Sequence, residues 1–258
     1  FQRIKETYEK VVWINPEPEK AWQMTTSTQW IKQLSEHKMY PLTIEGLEKA
    51  GFNVELANTG CCGRPMISNG LLNRAKMQAQ ANVDHLYSYV AQGVPIVGCE
   101  PSCLLTLRDE YTDLLRDDKS RVVAERATLV EELLAWLHGR GELDLRFKER
   151  SGTVLFQGHC HQKALVGTAA SLAALRLVPG LRVEEIGSGC CGMAGAFGYH
   201  AEHFDISMQM GELDLLPAVR EQDGDTLIVA PGTSCRAQIL DGTGRIALHP
   251  AEVLRRAL

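Results

Sequence analysis

No apolar run in this chain approaches the ~18–20 residues that a membrane helix needs, which excludes a helical span. Positive charge is not in excess either: 27 Lys and Arg stand against 32 Asp and Glu, for a formal net charge of −5 and a pI near 5.9. Nucleic-acid binders usually carry a strong basic patch, so this balance argues against a phosphate-backbone partner. A Walker lysine motif, a nucleophile elbow and a metalloprotease motif are all missing. No charged start with an apolar run precedes the cysteines, so a reducing, cytoplasmic location is expected, with any membrane attachment peripheral and through a partner. Phe1 is no natural start, and the chain is expected to be processed or cut from something longer.

What is present is a core-sized chain with an unusual cysteine pattern. At 258 residues, with 45% hydrophobic and 23% charged residues, the composition is that of a soluble globular protein. Roughly 70–75% of the unfolded surface is available for burial at this length. Two triplets, Cys61-Cys62-Gly63 and Cys190-Cys191-Gly192, stand 129 positions apart. Each leads through an apolar run to a later cysteine motif, Cys99-Glu100-Pro101-Ser102-Cys103 and Pro231-Gly232-Thr233-Ser234-Cys235, and Cys103 and Cys235 are 132 apart. An even cysteine count permits a disulfide framework, but such frameworks belong to small secreted chains without a core.

The cysteines punctuate alternating strand and helix signals. Thr153-Val154-Leu155-Phe156 reads as a strand ending at Gly158-His159-Cys160, with helical spacing from Ala164 to Leu177. Leu181 to Ile186 alternates as a strand before Gly187-Ser188-Gly189 breaks it; a helical segment spans His200 to Val219, Thr226 to Ala230 is a third strand, and Pro250 opens a last helix. The first half repeats this order with Val11-Val12-Trp13-Ile14, Asn53-Val54-Glu55-Leu56, a helix from about Leu71 to Ala91 and a strand from Pro95 to Gly98. Helices are further expected over Leu104 to Leu115 and Val122 to Leu137, and the connection runs from Gly139 to Gly152. The expected fold class is α/β: two pseudo-repeated lobes, residues 1–140 and 150–258, each a small mainly parallel sheet with flanking helices and with cysteines at strand C-terminal ends. Ligands of open parallel sheets collect at those ends, where helix N-termini favour anions.

Cys160, Cys190, Cys191 and Cys235 offer four thiolates from three strand–helix turns. Zinc also takes four, but its structural sites use paired knuckles, a spacing found only from Cys99 to Cys103. Adjacent Cys190 and Cys191 cannot form a knuckle, whereas a multi-iron cluster offers separate irons to neighbouring sulfurs. Iron–sulfur chemistry therefore ranks above zinc. His159 and His161 flank Cys160 and are read, with Arg236, as residues supporting the cluster rather than ligands; Lys163 and Arg64 either offset cluster charge or are solvated. His200 and His203 are read as surface residues. The glycines at 187, 189, 192 and 195 superficially suggest a dinucleotide fingerprint, but the embedded cysteines point instead to close approach of backbone N–H groups to a cluster.

Gly189-Cys190-Cys191-Gly192-Met193-Ala194-Gly195, with Gly158-His159-Cys160-His161 and Thr233-Ser234-Cys235-Arg236, resembles the cysteine-rich CCG domain family. That family includes the B component of heterodisulfide reductase, the iron–sulfur components of glycolate and lactate oxidation, and the C component of anaerobic glycerol-3-phosphate dehydrogenase. The stretch is most similar to the C-terminal part of fused FAD-linked oxidase/iron–sulfur proteins that oxidise D-2-hydroxy acids. The resemblance implies an iron–sulfur cluster, [4Fe-4S] of cubane or noncubane form, on Cys160, Cys190, Cys191 and Cys235, and a weaker first-lobe set of Cys61, Cys62, Cys99 and Cys103. Two departures from the family pattern stand out: in the first lobe Asn15-Pro16-Glu17-Pro18 follows Val11–Ile14 where a cysteine is expected, with about 15 extra residues, including Trp22 and Trp30, before the triplet, and in the second lobe Pro231 stands where the first has Cys99. The first-lobe cysteines are read as a second cluster, a zinc site through Cys99 and Cys103, or packing thiols.

No flavin-binding domain is recognisable in these residues, so FAD is expected on a missing domain or partner. The expected function is an oxidoreductase's electron-transfer part, relaying electrons from a flavin that oxidises a 2-hydroxy acid (lactate, glycolate or 2-hydroxyglutarate type) to a further iron–sulfur, ferredoxin-like domain or other acceptor. The alternatives are a disulfide-reducing lobe like that of heterodisulfide reductase and a zinc-stabilised scaffold.

Overall fold

A computed structural model describes residues 10–14, 45–57, 59–195 and 197–258. The expected features around Asn15, Trp22 and Trp30 lie outside these residues.

Two parallel sheets carry the architecture. In the first, β1 (Lys10–Ile14) lies between β2 (Asn53–Ala57) and β3 (Ile96–Gly98), and β4 (Ala127–Leu129) extends the β3 edge. In the second, β5 (Gly152–Phe156) lies between β6 (Leu181–Glu185) and β7 (Leu227–Val229). The two share one plan, with the first strand in the middle and the next two on either side of it. In the second sheet the place of β4 is taken by a single parallel bridge, Val229 to Leu248. Parallel pairing buries both faces, and Val154, Leu155, Phe156, Ile228 and Val229 are accordingly all sequestered.

Helices follow each strand. After β2 come α1 (Arg64–Ser68) and α2 (Leu72–Val90), which packs Ala75, Ala79, Val83, Leu86 and Val90 inward at helical spacing. After β3 come α3 (Pro101–Arg108), α4 (Glu110–Leu115) and α5 (Asp118–Arg126), and after β4 comes α6 (Val130–Gly139). The second lobe carries α7 (Cys160–Leu165) and α8 (Ala169–Leu175) after β5, α9 (Phe204–Gly211) and α10 (Leu215–Arg220) after β6, then α11 (Thr233–Thr243) and α12 (Pro250–Ala257). Among the described residues, no helix is long and apolar enough to cross a membrane.

Four expected helices are subdivided. The 104–115 segment breaks at Asp109, between α3 and α4. The 122–137 segment breaks at β4, whose Ala127, Thr128 and Leu129 are buried and pair with Ile96, Val97 and Gly98. The 164–177 segment breaks at Gly167, with φ of +71°. The 200–219 segment begins as 3₁₀ turns and divides again before Leu215. The lobes share an apolar cluster of Val97, Cys99, Val130, Leu133 and Leu137 with Ala174, Val178, Leu254 and Ala257. One packed interior therefore fixes the strand ends of one sheet relative to those of the other.

Candidate metal centre

In the second lobe, β5 delivers Cys160 to the first position of α7, the turn after β6 holds Cys190 and Cys191, and α11 carries Cys235 in its first turn. The four thiols form a chain of contacts, Cys160 to Cys190 to Cys191 to Cys235. Cys190 takes the anionic role. Hydrogen bonds from Cys160 and Cys191, with further backbone N–H donation from Gly192 and Ala194, pull its thiol down to about 2. The partner thiols are raised: Cys160 by its contact with Cys190 and by burial, Cys191 by its contacts with Cys190 and Cys235. A thiolate is the ligating form, so the turn already stabilises what a metal needs.

The glycine of the triplet is a geometric requirement. Gly192 has φ of +97°, its N–H lies 3.3 Å from the Cys190 sulfur, and a Cβ there would run into the Ser207 carbonyl. Gln238 Nε2 donates to that carbonyl at 2.9 Å and anchors α9 against the turn. On the other side, Lys163 Nζ donates to the Ser188 carbonyl at 2.5 Å, and the Ser188 hydroxyl donates to Gln157 Oε1 at 2.5 Å.

The first lobe repeats the turn. Gly63 has φ of +80°, and its N–H reaches the Cys61 sulfur at 3.4 Å. Cys61 contacts Cys62, and Cys62 contacts Cys103 on α3. Asn82 of α2 donates to the Cys61 carbonyl at 3.0 Å, and the Tyr111 hydroxyl donates to the Cys62 carbonyl at 2.9 Å. Cys99 stands outside this chain of contacts. Its thiol is raised first by burial and then by the carboxylates of Glu100 and Glu131, while Arg236 acts in the opposite sense.

Polar groups from both lobes meet between the two cysteine sets. Ser102 Oγ lies 3.0 Å from His159 Nε2. Arg64 pairs with Glu110, whose other oxygen is 3.7 Å from His161 Nε2. Burial, then the charge of Arg64, lowers His161 to about 4, so the ring is neutral at pH 7. Burial likewise lowers His159. Arg236 is 5% exposed and donates to the carbonyls of Ala230 and Pro231 at 2.8 and 2.7 Å, so it locks the turn that precedes Cys235 and is not a solvated residue. Lys163 and Arg64 are likewise committed to internal partners. Of the residues read as surface, His200 is exposed, whereas His203 is half-buried and stacks on Phe197 at 4.0 Å between ring centroids. Sequence reasoning missed Asn82, Tyr111, Gln238 and Glu100, because each serves the cysteines across 21 to 133 positions of chain.

All eight cysteines are free thiols, which removes the disulfide framework. A single tetrahedral zinc with bonds of about 2.3 Å would hold its sulfurs about 3.8 Å apart in every pair. Among the described residues no three cysteine sulfurs lie mutually within 4.8 Å; the three ligand atoms that do belong to Asp109, Glu110 and His161. An extended chain of four thiols, touched by backbone N–H groups, suits a group with several metal atoms better than one ion.

A family model for the CCG cysteine-rich domain matches residues 33–108 and 154–240, once in each lobe. The C component of the anaerobic glycerol-3-phosphate dehydrogenase of Escherichia coli K12 is 31% identical over 223 residues, covering 83% of this chain and 54% of that protein. The D-2-hydroxyglutarate dehydrogenase of the same organism is 31% identical over 211 residues, 81% of this chain and 20% of that protein. The chain thus spans about half of the first relative and a fifth of the second. A hypothetical protein from Helicobacter pylori shares the fold, with a TM-score of 0.50 at 11% identity over 96% of this chain and 49% of that one. With both triplets inside matched segments and both lobes built on one plan, this chain belongs to the CCG cysteine-rich domain family.

Proposed function

We propose that this protein is an iron–sulfur electron-transfer module, with lobes at 1–140 and 150–258, that works beside a flavin-containing dehydrogenase in the cytoplasm. The observation that carries the reading is the line of four thiols in the second lobe, held at three strand ends and supplied with backbone N–H donors. Cys160, Cys190, Cys191 and Cys235 would hold a [4Fe-4S]-type cluster. Cys61, Cys62 and Cys103, with Cys99 in electrostatic reach of Cys103, would hold a second.

When bound, such a cluster accepts and releases single electrons. The chain's own residues set the conditions for that. Gly192 and Gly63 aim N–H groups at sulfur, which favours the reduced, more negative state. Arg236 and Lys163 fix the flanking turns, and neutral His159 and His161 leave the surroundings of Cys160 without added charge. Oxidation of a secondary alcohol releases two electrons together, so a flavin is the natural converter to single-electron carriers. The relatives' names specify D-2-hydroxyglutarate and glycerol 3-phosphate, both secondary alcohols; we take a 2-hydroxy acid as the substrate of the flavin partner, and a further iron–sulfur domain as the acceptor.

Iron, labile sulfide and zinc analysis of anaerobically purified protein tests the reading. The expected product is brown and bleaches on reduction; colourless protein with stoichiometric zinc would overturn it.

A further inference from the structure

Aligned at the offset that equates Cys103 with Cys235, Glu100 corresponds to Gly232. The two residues hold the same place, the N-cap of the helix that presents the late cysteine. Glu100 caps its own helix, α3, by accepting from Ser102 N–H at 3.3 Å through Oε1. Gly232 has no side chain to cap α11 and has no room for one, since a Cβ there would collide with the His159 ring and sit 3.3 Å from the Cys235 sulfur. The cap of α11 comes from across the lobe boundary: Glu100 Oε2 accepts from Thr233 N–H at 2.9 Å and from Thr233 Oγ1 at 2.7 Å.

We infer that Glu100 is a positioning residue shared by both cysteine centres: one buried carboxylate caps both late-cysteine helices and so fixes Cys103 and Cys235 relative to each other. A carboxylate at a helix N-terminus is stabilised by the N–H groups it receives, and leaving those groups uncapped in a buried site is costly. The shorter contacts lie on the α11 side, so the second centre depends more on Glu100 than the first does. Its negative charge also opposes the arrival of an electron at either centre. Removing it makes reduction easier at both, and more so at the first, whose Cys99 and Cys103 both feel the Glu100 charge. His159 adds a second crossing contact through Ser102, but its bond leaves the α11 N-terminus untouched.

Two measurements on the anaerobically isolated chain test this inference. The first is a urea-unfolding double-mutant cycle with Glu100→Gln and Thr233→Val. Each change is expected to lower the folding constant about tenfold, and the double variant by clearly less than a hundredfold, because both weaken the Glu100–Thr233 contact, while only Thr233→Val also loses the Arg236 bond at 3.2 Å. Strict additivity would overturn the shared cap. This arm needs no cluster, and so it stands even if iron is absent and the functional reading fails. The second is a potentiometric titration of the cluster signals, in which Glu100→Gln, similar in size but uncharged, is expected to move the midpoints of both centres to more positive values, the second through the helix it caps and the first through its proximity to Cys99 and Cys103. An unmoved second-centre potential alongside lowered stability would reduce Glu100 to a structural cap for one helix. If Glu100→Gln does not fold, Thr233→Val carries the test alone: it leaves Glu100 charged with one partner fewer, and a second-centre potential equal to wild type would overturn the inference.

Discussion

At the scale of single residues, the two triplets owe their glycines to backbone conformation, and that separates glycines that matter from glycines that do not. Gly192 sits at φ +97° against the Ser207 carbonyl, while Gly189, three positions earlier, has open space where a Cβ would go. Gly192→Ala is therefore expected to cost several kcal/mol, since strain at positive φ adds to a clash with backbone. Gly189→Ala should shift the unfolding midpoint by little or nothing. Thermal unfolding of both variants decides the ranking. The same scale separates the cysteines. Cys191→Ser removes the sulfur that touches both Cys190 and Cys235 and should abolish most of the second-lobe cluster signal. Cys99→Ser touches no other sulfur in the chain of contacts and should leave most iron bound; equal iron losses in the two variants would show that the sites are ranked wrongly.

At the scale of elements, what was legible in the sequence was what the sequence encodes locally. β5, β6 and β7 announce themselves as short apolar or alternating runs, and α2 as a regular inward stripe. β4 did not, because Ala127-Thr128-Leu129 is three residues long and flanked by helix-forming stretches; only its pairing with β3 makes it a strand. The cysteine sets were legible from spacing, but their supports were not. Glu100 reads as a solvated acid until its partner 133 positions away is known. Glu131, at the start of α6, is hidden in the same way. It is 1% exposed, neither carboxylate oxygen makes a well-formed hydrogen bond, and burial, offset in part by its own backbone N–H, pushes it up to about 8. With an unfolded value of 4.5, the folded state holds a proton that the unfolded state has released between about pH 4.5 and 8. Stability should therefore fall as pH rises through that window, by up to about 1.4 kcal/mol per unit. Glu131→Gln is expected to flatten that slope and to be the more stable protein at pH 8, as urea unfolding at pH 5.5 and pH 8 would reveal; parallel slopes in the two proteins would count against a protonated Glu131.

At the scale of the whole molecule, the doubled plan places two cysteine sets at the strand ends of two sheets that share one apolar interior. Polar groups from both lobes meet between them, with the Ser102–His159 contact at 3.0 Å and Glu100 reaching Thr233. On the proposed reading, such a body would receive electrons at one centre and pass them on through a fixed interior. The chain also spans only part of its dehydrogenase relatives. If it is a relay, its activity must depend on a partner that performs the two-electron step. The isolated chain, loaded with iron and sulfide and free of flavin, is expected to leave artificial dyes unreduced with D-lactate, glycolate or D-2-hydroxyglutarate. Adding a flavin-containing dehydrogenase component should bring dye reduction at a rate that falls when Cys191→Ser replaces the wild-type chain. Substrate-dependent dye reduction by the flavin-free chain alone would move catalysis onto the cysteine centres themselves and end the relay assignment. The Cys191→Ser comparison guards against a simpler outcome, in which the flavin component reduces the dye directly and the chain is a bystander.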